Sequence, residues 1–155
     1  MSYTIEDARA SLSRLQVAEH RKPNVRGLNG WVYEETIRYC LRQELQSQGF
    51  SPKIEEQQKL SGRKKVDLLV DGTIAIEIKS RGNFDKPLVF EERYSQYREE
   101  AEQKGWIYLY LTGTETHIPY RDLAKNVFGD DRVFFLDRKG EWSRFVKEVA
   151  RHLLL

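Results

Sequence analysis

A chain of 155 residues and 18.3 kDa is long enough to bury one sizeable core and short for two independent domains. Its 39% hydrophobic and 32% charged residues suit an ordinary soluble protein, and apolar runs such as WIYLYL (106–111) are far too short to span a bilayer. The net charge of +2, from 26 Lys and Arg against 24 Asp and Glu, is too small to identify a nucleic-acid partner, so the local distribution of charge has to decide.

The N-terminal MSYTIEDARA lacks a basic leader and an apolar h-region, and a cytoplasmic location is expected. Thr4 followed by Asp7 resembles a capping arrangement, and Ile5, Ala8, Leu12 and Leu15 recur at helical spacing, which predicts a helix over about 4–20. RKPNVRGLNG, with Pro23 and two glycines, reads as a loop. It marks a boundary between residues 1–29, a helix and basic loop that form a candidate oligomerisation or DNA-contact arm, and a main domain over 30–155.

A second helix is predicted from 30 to 50, with Tyr33, Ile37, Cys40, Leu41 and Leu45 on one stripe and Gly49 as its stop. Cys40, the lone cysteine, reads as a small buried hydrophobe. At about 100° per residue Glu34 falls close to the stripe, whereas Glu35 points away and reads as surface. A weaker strand candidate near 52–59 precedes two clear strands, 65–71 and 73–80, joined at Asp71-Gly72. Helical spacing returns near 89–104. WIYLYLTG then reads as a strand apolar on both faces, suited to the middle of a parallel or mixed sheet. A helix near 119–127, a strand RVFFL (132–136) and a helix from about 141 follow, the last with a core stripe of Trp142, Phe145, Val146, Val149 and Leu153 beside His152. The order implies an α/β fold whose antiparallel hairpin leads into parallel crossovers, a mixed sheet flanked by helices.

In the second strand of the hairpin Ile74, Ile76 and Ile78 share one face, so Ala75, Glu77 and Lys79 share the other. Asp67 joins Glu77 and Lys79 only if the loop has an odd number of residues. A two-residue Asp71-Gly72 loop would set Asp67 opposite Ile76, on the wrong face, whereas a three-residue loop brings it round. The odd loop is expected. Two carboxylates on adjacent strands then offer the hard oxygen ligands that Mg²⁺ prefers, with Mn²⁺ as a substitute. Lys79 beside them would hold or deprotonate an attacking water and offset phosphate charge, which suits phosphodiester hydrolysis. The competing reading makes Asp67 and Glu77 strand-end charges of an edge hairpin, neutralised by Lys65 and Lys79. Glu34, facing inward from the preceding helix, is a candidate third ligand or a structural hydrogen-bonding acid. His20, His117 and His152 are scattered and offer no histidine site. Basic residues collect at 20–27 (Arg21, Lys22, Arg26) and around the hairpin (Arg63, Lys64, Lys65, Arg81), and are the candidate DNA contacts.

Glu34, Asp67 and Glu77-Ile78-Lys79, with the element order over about 30–112, resemble the PD-(D/E)xK, or restriction-endonuclease-like, nuclease superfamily. EIKSR after a short hairpin, preceded by a helix ending in QGF, is similar to archaeal-type Holliday-junction resolvases and other small stand-alone nucleases. The resemblance implies a restriction-endonuclease-like αβββαβ core. It also implies a Mg²⁺-dependent endodeoxyribonuclease acting on double-stranded or branched DNA. Asp67, Glu77, the backbone carbonyl of Ile78 and the auxiliary acid Glu34 would hold the metal, and Lys79 would assist the water. Two departures stand out: Val66 replaces the proline before Asp67, and residues 1–30 have no counterpart. On the helix after the hairpin, Arg93, Gln96 and Tyr97 would face the site as polar residues do in exonuclease relatives, against the plainer reading of a solvated face. Cutting both strands of a duplex needs two sites, hence a homodimer or higher oligomer. The alternatives are a catalytically inert DNA-binding or partner-binding subunit on the same fold, or a nuclease subunit of a larger restriction or defence complex.

Overall fold

The structure is a computed structural model, and it describes residues 26–79, 86–112, 118–136 and 138–154. The helix expected over 4–20, together with His20, Arg21, Lys22, Arg81 and His117, lies outside the described residues. The chain divides into two compact units, Met1–Pro52 and Lys53–Leu155.

In the first unit, helix α1 (Arg26–Ser47) begins four residues before Gly30, so Arg26 is helical and not in a loop. Each glycine disfavours a helix by only ~1 kcal/mol, and extending an existing helix gains a hydrogen bond per residue, so Gly27 and Gly30 do not stop it. The far end stops as the sequence predicts. Gly49 adopts φ +87°, and the N–H groups of Phe50 and Gly49 donate to the carbonyls of Leu45 and Gln46 at 3.0 Å each, closing the last turn in a Schellman motif. Tyr33, Ile37, Cys40, Leu41 and Leu45 are buried, as their spacing requires. Glu34 and Glu35 do not separate as expected, because both are half-buried and Glu35 is held by Arg38 at 2.7 Å one turn on.

The second unit is an α/β arrangement around a five-stranded mixed sheet in the order β1-β2-β3-β4-β5. Strands β1 (Ile54–Ser61), β2 (Lys64–Val70) and β3 (Ile74–Lys79) are antiparallel neighbours. Helix α2 (Pro87–Gln103) carries the chain to β4 (Ile107–Thr112), parallel to β3, and α3 (Ile118–Phe128) carries it to β5 (Val133–Phe135), parallel to β4; α4 (Glu141–Leu153) follows. β3 is therefore the middle strand and is buried on both faces from Ile74 to Ile78.

Parallel pairing sets Ala75 beside Tyr108, Glu77 beside Tyr110 and Lys79 beside Thr112, all on one face. Helices α2 and α3 cover that face through Phe90, Tyr94, Ala101, Ala124, Val127 and Phe128. Its centre is aromatic: Phe128 lies 5.6, 5.2 and 4.8 Å from the rings of Tyr94, Tyr108 and Tyr110. On the opposite face Phe134 packs edge-on against Phe145 of α4 at 5.3 Å. In α4 His152 bonds Glu148 at 2.9 Å with its side chain 8% exposed, a packed residue as expected. Among the described residues no helix is long and apolar enough to cross a membrane.

Candidate functional site

The β2–β3 turn decides whether the two carboxylates meet. Asp71 and Gly72 both have positive φ, +49° and +68°, the sign pattern of a type I′ turn that Asp-Gly favours, and the Thr73 N–H closes it on the Val70 carbonyl at 3.1 Å. Yet the first ladder pair is Val70 with Ile74, followed by Leu69 with Ala75 and Leu68 with Ile76. Thr73 is left over as a third loop residue, and its carbonyl instead accepts the Ile107 N–H of β4 at 2.8 Å. That one residue puts Asp67 in register with Glu77, on the face of Glu77 and Lys79, as the odd loop requires.

Asp67 occupies a gap in both ladders. On the β3 side pairing stops at Leu68–Ile76, and the Ile78 N–H donates to Asp67 Oδ2 at 2.7 Å. On the β1 side the ladder passes from Glu56–Leu68 to Gln58–Val66, and Gln57 between them takes φ +50° with its side-chain amide 3.3 Å from Asp67 Oδ1. A left-handed glutamine is strained by ~1 kcal/mol or more, and such residues gather at functional sites.

Glu77 is 5% exposed on the middle strand. Its Oε2 accepts a hydrogen bond from the Tyr108 hydroxyl at 3.0 Å, and its Oε1 lies 3.4 Å from Lys79 Nζ. Burial first, and the negative charge of Asp67 second, push its pKa up from 4.5 to about 7, against the opposing pull of Lys79 and Tyr108. Burial works against the Lys79 ammonium, but Glu77, Tyr94 and Asp67 outweigh it and raise the pKa above the ordinary lysine value, so Lys79 is charged. Tyr94 is pushed up to about 12 by burial and by Glu77. Tyr108 and Tyr110 are raised by burial and by their neighbours Glu77 and Tyr94, and all three hydroxyls are neutral at physiological pH.

The structure thus brings together Asp67, Glu77, Ile78 and Lys79. The edge-hairpin alternative loses its premise, since β3 is not at an edge; what remains of it is the Glu77–Lys79 pair. Glu34 stands half-buried on α1, within the first unit. Of the basic residues, Arg63 and Lys65 are exposed. Lys64 is tied to Glu100 at 3.1 Å and lies over the Tyr97 ring. On α2, Arg93 and Gln96 are exposed and Tyr97 is half-buried, its ring 5.7 Å from that of Tyr94. Among the described residues no group of three or more His, Cys, Asp or Glu side chains is gathered as a metal site. The donor set at the hairpin is two carboxylates, all oxygen, one of them held above its ordinary pKa by burial first and by the other's charge second. This chemistry fits a hard divalent cation, which would relieve that repulsion.

Three participants were not found from the sequence. Tyr108, which acts on Glu77, and Gln57, which acts on Asp67, sit in segments whose patterns read only as strand, and Tyr94, which acts on Lys79, sits in a helix whose plainer reading is a solvated face. No protein-family model, no curated protein and no solved structure matches the chain.

Proposed function

We propose that this chain is a divalent-metal-dependent endonuclease of the PD-(D/E)xK type that hydrolyses DNA phosphodiester bonds. The observation that carries this reading is the three-residue turn, which brings Asp67 into register with a buried Glu77 and a charged Lys79. The order α1-β1-β2-β3-α2-β4 supports it, being the αβββαβ order of that superfamily's core.

In this reading Asp67, Glu77 and the Ile78 carbonyl would hold Mg²⁺. The bound ion supplies positive charge to the scissile phosphate. The chain's own groups do the rest. The Ile78 N–H fixes Asp67, and Tyr108 fixes Glu77. Lys79, charged beside Glu77, donates hydrogen bonds to the attacking water and the phosphate. Arg63 and Lys65, exposed beside the hairpin, guide the DNA backbone. A duplex cut on both strands requires two such sites, hence a homo-oligomer.

The test is incubation of plasmid and four-way-junction DNA with Mg²⁺ and either wild type or Lys79→Ala. Loss of at least ~100-fold in rate is expected for the variant, the scale of a catalytic group's contribution. Equal inactivity of both on every DNA form, with DNA still bound, would remove the nuclease reading. It would favour an inert binding subunit, or one that cuts only with a partner. The observation on that side is that Glu77 and Lys79 already neutralise each other at 3.4 Å.

A further inference from the structure

Glu77 is gripped from two directions along its own strand. Burial falls from Ala75, fully buried, through Glu77 at 5% to the Lys79 side chain at 38%, so β3 runs outward toward its end. Lys79 holds Oε1 from the outer side, and Tyr108, registered two residues back beside Ala75, holds Oε2 from the inner side. The methyl group of Ala75 leaves room for the Tyr108 ring to lean one repeat forward to Glu77. Tyr110, the direct register partner of Glu77, does not share this task, because its buried hydroxyl has no hydrogen-bond partner among the described residues. The two grips are unequal. At 3.0 Å the tyrosine bond is ordinary, whereas 3.4 Å is long for an ammonium–carboxylate contact, which closes to about 2.7–2.9 Å when unrestrained.

We propose that Tyr108 is a positioning residue that holds the Glu77 carboxylate back from Lys79 and so keeps it open to a divalent cation. The inference rests on Asp67 and Glu77 being the cation's ligands, and it assigns the selectivity between internal lysine and external metal to one hydroxyl. Without that hydroxyl, Glu77 swings outward, pairs with Lys79 through both oxygens, and is lost to the metal.

The experiment is Mn²⁺ binding to the full chain, followed by electron paramagnetic resonance of free Mn²⁺ without DNA, with the metal-free unfolding midpoint of each protein measured alongside. Tyr108→Phe should weaken Mn²⁺ binding about tenfold, the lower end of what removing an outer-shell partner costs. Tyr110→Phe, which removes the same atom from the neighbouring ring, should leave it within about twofold. Lys79→Met should strengthen binding more in the Tyr108→Phe background than in wild type, a coupling that a purely structural role for the hydroxyl does not produce. Equal Mn²⁺ affinity in wild type and Tyr108→Phe, with binding abolished by Asp67→Asn, overturns this inference and leaves the nuclease reading standing. Failure of the wild-type chain to bind Mn²⁺ at all overturns both.

Discussion

Glu77 is a carboxylate kept from water by the middle strand of a sheet, and its protonation is therefore linked to folding. Folded, it titrates at about 7; unfolded, near 4.5. Between those values the native state binds more protons than the unfolded state, so stability falls as pH rises through the window and no further above it. A shift of this size corresponds to roughly 3 kcal/mol, with little discount for screening at a buried group. Glu77→Gln is accordingly expected to exceed wild type by about that amount at pH 8 in the presence of a chelator, and to show no advantage at pH 4. Urea midpoints of both proteins across pH 4–8 measure this, and parallel pH profiles would contradict it. The same residue shows where reading from sequence stops. Alternation placed Glu77 on the face of Lys79, because strand periodicity is local. Nothing local says that a tyrosine 31 residues later will bond it, since that contact depends on the register of a parallel pair.

At the scale of the element, the hairpin's behaviour turns on Thr73. Asp71-Gly72 supplies the backbone signs for a tight turn, and taken alone those residues would have set Asp67 opposite Ile76. Thr73 shifts the pairing by one, and its carbonyl is claimed by β4, so the register is fixed from the neighbouring strand as well as from the turn. Thr73→Ala, which keeps the backbone, should change stability by no more than about 0.5 kcal/mol. Deleting Thr73 leaves Val70 opposite Ile74 and Asp67 opposite Glu77 across a two-residue Asp71-Gly72 loop, so the register survives and the expected loss is that of the carbonyl that accepts the Ile107 N–H, about 1 kcal/mol. Thermal unfolding of the two variants checks this; a deletion as stable as the substitution would show that the bond from β4 to the Thr73 carbonyl does not hold the turn. The elements themselves were legible: the stripe on α1, the strand at 107–112 and the last helix follow from periodicity that tertiary context did not override. The early start of α1 was not, because two glycines weaken a helix by less than its continuation stabilises it.

Across the whole sheet, β3 is the line where antiparallel pairing gives way to parallel pairing, and the candidate site draws one half from each side. Asp67 reaches Ile78 across 11 residues within a single hairpin, whereas Tyr108 reaches Glu77 across 31 residues and needs the α2 crossover in place. Closing the shorter loop forfeits less chain entropy, so the two halves are expected to form in that order. Folding kinetics can test this: Asp67→Ala should give a higher φ-value than Tyr108→Phe, and the reverse ranking would refute the sequence of events. The left-over loop residue then acquires a meaning in time as well as in space. Until β4 arrives to take the Thr73 carbonyl, the turn is tied from outside only on its β1 side, where Asp71 and Lys53 exchange two hydrogen bonds of 2.8 Å among the described residues, and Glu77 still has its water. The same docking strand locks the register and dries the carboxylate, so the chain commits to the costly buried charge only at the step that makes the hairpin's alignment final.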